Sequence, residues 1–135
     1  MKHKNYCRPQ PLINVKSVPR SSKWYQKVLG GKSGHGGDEY EQIQSNGVTI
    51  LQLHAWDIDH HRAGHMGKSS LKIRGNGSVL WFQVDHFDDA LARIKKLKAK
   101  VLRQVQVNPN ANHREIWLRD LDGYTVVVCG EYGDV

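Results

Sequence analysis

The chain has 135 residues, 39% hydrophobic and 24% charged, with two cysteines and a formal charge of +7. That is the size and composition of one soluble domain with a core of its own, and two cysteines exclude a disulfide scaffold. No apolar run reaches membrane-spanning length and the N-terminus lacks a signal-peptide core, so a reduced, cytoplasmic protein with no membrane partner is expected.

Taken in chain order, Met1–Arg8 is a polar tail expected to fray or lie across the surface. Pro11–Val18 reads as a strand, with Ser17 as a candidate helix cap and Pro19 near the first turn, where its missing N–H costs nothing. Trp24, Tyr25, Val28 and Leu29 follow at helical spacing until Gly30-Gly31 ends the helix. Gly34-His35-Gly36-Gly37 reads as a flexible turn or lid, and a short strand is expected within Gly31–Gly37. Strands at Glu39–Gln44 and Val48–His54 are joined by Asn46-Gly47, a strong hairpin signal.

Ala55–Gly77 is a long irregular stretch with four glycines, and loops of that length are functional or disordered. Ser78–His86 is the next strand, with Leu80, Phe82 and Val84 on one face and Val79, Trp81 and Gln83 on the other. Asp85 is the expected N-cap of a helix carrying Phe87, Leu91, Ile94, Leu97 and Val101 at steps of three or four, with Asp88 and Asp89 in its first turn. Strands at Leu102–Val107, Arg114–Arg119 and Tyr124–Cys129 close the chain, the last two joined by the Asp120–Gly123 hairpin. Asn108–Asn112 is a turn-forming segment.

The basic excess is diffuse. Lys2, Lys4 and Arg8 lie in the N-terminal tail, while Arg93, Lys95, Lys96, Lys98 and Lys100 lie on the outer side of the second helix. No helix-turn-helix spacing, zinc finger or aromatic RNP-like motif accompanies them, so a solvated face is expected rather than a nucleic-acid site.

Both halves spell the same order of elements. The expected fold is therefore α+β, two tandem βαβββ modules forming a curved mixed sheet around a groove, with helices on the convex face. The modules span roughly 11–55 and 78–132, joined by a linker over 56–77, within one domain.

Several stretches also carry a family resemblance. Leu12–Val18 followed by Ser22-Lys-Trp-Tyr-Gln-Lys-Val-Leu-Gly30, then Trp81–Arg93, then Trp117-Leu-Arg-Asp-Leu-Asp-Gly-Tyr124 resembles the vicinal oxygen chelate superfamily. This group includes glyoxalase I, bleomycin-resistance proteins and extradiol dioxygenases, and the resemblance runs from Pro11 to Tyr132. It implies paired modules around a U-shaped groove and a homodimer. Metal-dependent members hold ligands at positions that match Gln10, Gln52, Val79 and Val127 here, where His and Glu are usual for the last two. Valine has no lone pair to donate, so the family's usual metal is not expected. Ser17 replaces the family's Asp at the first strand–helix junction and Leu121 its hairpin proline, both structural changes.

Alternation then selects the groove lining. Leu12, Asn14, Ile50, Gln52 and His54 from the first module, and Val79, Trp81, Gln83, Glu115, Trp117, Arg119, Thr125, Val127 and Cys129 from the second, face the concavity. The candidate ligand-binding residues are Asn14, Gln52, His54, Trp56, Trp81, Gln83, Trp117 and Arg119, with the tryptophans as stacking surfaces for an aromatic or cationic molecule. The same tryptophans also suit an oligomer interface. Candidate catalytic residues are His54, His113 and Glu115, with His113 as a general base oriented by Glu115. Cys129 has no neighbouring activator and reads as an inert thiol. Asp57, Asp59, His60, His61 and His65 supply enough donors for zinc, nickel, iron or manganese, but match no established spacing.

The expectation is a cofactor-free binding protein of the bleomycin-resistance type. Its alternatives are a lyase, isomerase or dioxygenase with a relocated metal or a His/Glu site, and a protein- or nucleic-acid-interaction module.

Overall fold

The structure is a computed structural model, and it describes residues 9–58, 69–70, 75 and 78–135. The first half runs β1 (Leu12–Val15), α1 (Val18–Leu29), β2 (Lys32–Ser33), β3 (Tyr40–Ser45) and β4 (Val48–Ala55). The second runs β5 (Leu80–Gln83), α2 (Phe87–Leu97), β6 (Lys100–Asn108), β7 (His113–Arg119) and β8 (Thr125–Cys129). Strand orders are β1-β4-β3-β2 and β5-β8-β7-β6, so the two connectivities are identical. In each sheet the first strand runs parallel to the last and the other pairings are antiparallel. The expected duplication is present, but as two open four-stranded sheets rather than one continuous curved sheet.

Local chemistry sets the helix ends. Ser17 caps α1 by accepting from Arg20 N–H at 3.3 Å, and Pro19 occupies the first turn. Gly30 ends it at φ 70°, where any side chain would be strained and a Cβ would also meet the Arg93 guanidinium at 3.0 Å. The second helix departs from expectation at both ends. Val84 N–H still bonds the Cys129 carbonyl at 2.9 Å, so strand pairing runs on and Asp85 falls in the turn. His86, without a side-chain bond, stands at the N-cap instead. At the far end Lys98 adopts the left-handed conformation at φ 57°, its N–H closing onto the Ile94 and Lys95 carbonyls. Val101 therefore leaves the helix and pairs opposite Leu118 in β6.

Alternation places Ile13, Val15, Ile43, Leu51 and Leu53 of one sheet under α1. Ile116, Leu118, Val126 and Val128 of the other lie in the same cluster with Phe87, Ala90 and Ile94 of α2. Each fully buried aliphatic contributes about 1.5–3 kcal/mol by leaving water. A register shift between Ile43 and Gln44 interrupts the β3–β4 ladder, and Ile50, expected in the groove, packs against the core.

Polar bonds fasten the halves together. Tyr25 donates to Asp120 at 2.6 Å, Lys16 N–H to Asp122 at 2.6 Å, Ser21 to Asp122 at 3.3 Å, and Tyr124 to the Asn14 carbonyl at 3.1 Å. All four join the β7–β8 hairpin to the start of the first module.

The glycine-bracketed segment after β2 is docked by a buried carboxylate. Glu41 shares the core-facing side of β3 with Ile43 and accepts from Ser22 (2.8 Å), Ser33 (2.7 Å), His35 N–H (3.0 Å), Gly36 N–H (2.7 Å) and Gln42 N–H (2.9 Å). Burial alone would raise its pKa, but these donors outweigh that and hold it at about 2. An ionised carboxylate with five donors makes the segment an anchored turn rather than a free lid.

Candidate functional site

The face of each sheet turned away from the helices carries mainly polar and aromatic side chains, with a few aliphatics such as Val127 among them. On the second sheet, register sets Glu115 opposite Cys129, Trp117 opposite Val127, and Trp81 beside Val127 on the parallel strand. One face therefore gathers Trp81, Glu115, Trp117, Val127 and Cys129, as alternation predicts. The rings of Trp81 and Trp117 meet edge to face with centroids 6.0 Å apart, and His113 lies 6.1 Å from Trp81. Trp81 remains 45% exposed, which leaves a large aromatic surface available. The Arg103 guanidinium sits over the Trp117 ring at 6.0 Å.

Glu115 is the electrostatic centre of this face. It is 2% exposed and accepts from Trp117 Nε1 (2.6 Å) and from Asn108 Nδ2 (2.9 Å), and it meets His113 Nε2 at 3.1 Å. Burial pushes its pKa upward, but these hydrogen bonds win and the net shift is downward, so the carboxylate stays ionised. An ionised Glu115 can only accept, so His113 Nε2 carries the proton and Nδ1 is left as the acceptor in the neutral ring. This is the orientation a general base needs. Cys129 accepts from Trp81 Nε1 at 3.2 Å, and burial raises its thiol pKa with help from the Glu115 charge, which leaves it a poor nucleophile.

The first sheet presents a different surface. Tyr40 donates to Gln52 at 2.6 Å and accepts from Gln42 at 3.1 Å, while Gln52 Nε2 donates to the Gln10 carbonyl at 2.8 Å. Asn14 donates to the Ala55 carbonyl at 3.2 Å, and His54 Nδ1 lies 2.9 Å from the same oxygen. Tyr40 is flanked by the His35 and His54 rings at 5.0 and 6.2 Å. This face is a mesh of amides rather than an aromatic platform.

The structure thus unites His113 with Glu115 and sets His54 on the other sheet, against Tyr40. Trp56 is half-buried at the bend after β4, Gln83 is exposed at the end of β5, and Arg119 bonds the Gly123 carbonyl at 2.9 Å and Thr125 at 3.4 Å. Asp59, His60, His61 and His65 lie outside the described residues, while Asp57 accepts from Ser69 Oγ and, at 3.1 Å, from its N–H. Sequence reasoning missed Tyr40 and Asn108. The Asn46-Gly47 turn alone would set Tyr40 opposite Leu53, and only the register shift between Ile43 and Gln44 brings it opposite His54. Asn108 had no signal either, because its amide reaches Glu115 only across the irregular β6–β7 pairing.

The positions that match the family's metal ligands do not fit a divalent cation. Val127 is fully buried and aliphatic, Val79 is 42% exposed and aliphatic, and the Gln52 amide is committed to Tyr40 and Gln10. Among the described residues no three His, Cys, Asp or Glu side chains are grouped to hold a metal ion.

Among solved structures, the integron cassette protein VCH_CASS1 from the mobile metagenome of V. Cholerae has the same fold, with a TM-score of 0.67 at 18% identity over 96% of this chain and 98% of that one. The fosfomycin resistance protein FosX from Listeria monocytogenes, complexed with Mn(II) and sulfate ion, gives 0.66 at 15% identity over 95% and 92%. TioX from Micromonospora sp. ML1 gives 0.64 at 14% identity over 92% and 95%. No curated protein is significantly similar in sequence. The family model of the Glyoxalase/Bleomycin resistance protein/Dioxygenase superfamily matches residues 7–128, nearly the whole chain. With the duplicated βαβββ architecture, that match establishes that the chain belongs to the glyoxalase/bleomycin resistance protein/dioxygenase superfamily.

Proposed function

We propose that the protein binds a small aromatic or cationic organic molecule against the second sheet's outer face, without the metal common in its superfamily. The observation that carries this reading is the buried, ionised Glu115 beneath two mutually perpendicular indole rings, one of them widely exposed. Indole faces attract cations and flat rings, and a fixed negative charge behind them adds to the attraction. The amide mesh of Tyr40, Gln42 and Gln52 supplies the hydrogen-bonding wall. Among the described residues no strand pairing joins the two sheets. A second copy that sets one chain's amide face opposite another's indole face would close the pocket, which is the role of the expected homodimer.

Tryptophan fluorescence titrated with planar aromatic cations, and with neutral rings of the same size, tests this. Saturable quenching that disappears in Trp81→Ala and Trp117→Ala supports the reading. Binding unchanged in both variants overturns it, as does stoichiometric zinc, nickel, iron or manganese in protein purified without a histidine tag.

A second reading is favoured by the His113–Glu115 contact at 3.1 Å. It assigns His113 as general base and Glu115 as the residue that positions it, so the bound molecule would lose a proton to Nδ1. A bell-shaped rate profile that His113→Gln flattens would support it. His54 takes no part in this version.

A further inference from the structure

Elsewhere on the molecule, α1, the end of α2 and the β7–β8 hairpin border an open cleft of about 850 Å³. That volume lies within the range of small-molecule sites, roughly 300–1,000 Å³. Along one wall Arg20, Lys23 and Lys27 project from α1 at spacings of three and four, so they share a stripe. Lys98, the left-handed residue that ends α2, and Lys100 at the start of β6 form the facing wall. All five are exposed, and none is ion-paired among the described residues. The acidic residue of the lining, Asp120, is buried, with its oxygens taken by Tyr25 Oη and by the N–H groups of Asp122 and Tyr124. It therefore cannot swing out to neutralise them.

The floor is apolar. Trp24 and Leu97 lie at its base, and Leu121 at the hairpin tip is 53% exposed. Five exposed, unpaired cations around an apolar recess, with the half-buried Arg119 bonded to the Gly123 carbonyl beside them, select for charge and grease together. An extended polyanion such as nucleic acid would use the rim but not the recess, and Trp24 is too buried to serve as a stacking platform. A recess also suits a monomeric ligand better than a flat bilayer, which is met by protruding side chains.

We propose that this cleft binds a small amphipathic anion, a phosphate or carboxylate head bearing an aliphatic tail. The head sits among Lys23, Lys27, Lys98 and Lys100, and the tail lies on Leu97 and Leu121. The site is separate from the indole face and stands or falls without it.

Calorimetric titration with octyl phosphate, inorganic phosphate and octanol tests the assignment at low salt. The expected result is one octyl phosphate per chain, bound at least about tenfold more tightly than either half-molecule. Lys23→Glu with Lys27→Glu should weaken it by about tenfold or more, while Lys95→Glu with Lys96→Glu, the same charge change outside the cleft, should leave it within about twofold. Leu121→Ser should remove the advantage of octyl phosphate over inorganic phosphate. Equal loss in the two double variants would mean diffuse attraction and would overturn the proposal. So would loss in Trp81→Ala, which would move the anion to the indole face. Salt-sensitive binding of a DNA oligomer or of phosphatidylglycerol vesicles in place of octyl phosphate would also overturn it.

Discussion

The Tyr25 hydroxyl donates to the Asp120 carboxylate at 2.6 Å, linking the first helix of one βαβββ unit to the hairpin of the other. Both groups are buried. Burial, and then the Asp120 charge, push the Tyr25 pKa well above its ordinary 10. Tyr25→Phe leaves one Asp120 oxygen without its donor and should cost about 1–3 kcal/mol in urea unfolding. A raised folded pKa means the contribution is intact below pH 10 and is lost as pH climbs through the folded value. Wild-type stability should therefore fall above pH 10, and the Phe variant should show a flatter alkaline limb.

Glu41 gives the opposite limb. Its folded pKa is about 2 against an ordinary 4.5, so its stabilisation is complete above 4.5 and is lost as pH falls toward 2. That shift corresponds to roughly 3 kcal/mol. Glu41→Gln should reduce stability at neutral pH by that order and remove much of the acid dependence, read from denaturation midpoints between pH 2 and 6. Unchanged acid dependence in the variant would mean that the turn does not rest on this carboxylate.

Charge at Glu115 can be separated from packing by a ratio of affinities. Glu115→Gln keeps the shape but removes the charge that Trp117 and Asn108 hold in place. Binding of an aromatic cation should fall by about tenfold relative to a neutral ring of the same size. An unchanged ratio would separate Glu115 from ligand charge.

Lys98 holds a left-handed conformation at φ 57° that glycine adopts without strain. Lys98→Gly should stabilise the protein by about 0.5–1 kcal/mol, measured as a raised denaturation midpoint. Gly30→Ala at the end of α1 should do the reverse, since φ 70° and the Arg93 guanidinium both oppose a side chain there.

How much of this was readable in advance depends on how local the determinant is. Ser17, Pro19 and Gly30 fix α1 through contacts within one turn, and the sequence states them openly. Alternation carried the indole face correctly, because Trp81, Trp117 and Glu115 occupy uninterrupted strands. It failed at Ile50, where a register shift skips a residue, and at Lys98, where a lysine takes the role a glycine would advertise. Nothing within Glu39–Gln44 sets Glu41 apart in the sequence. Its donors come from a helix, a two-residue strand and a turn, and no single stretch of sequence shows them converging.

The bonds from the β7–β8 hairpin to the first module span sequence separations of 95 to 110 residues. A growing polypeptide can form the first helix early, but Tyr25, Ser21 and Lys16 wait for partners that lie 95 to 106 residues further along the chain. Until then α1 has no second unit to close against, and the apolar flank it shares with Leu51 and Leu53 stays accessible to other chains. Maturation should accordingly be slow for so small a molecule, and nascent chains stalled before Asp120 should be ready clients for chaperones.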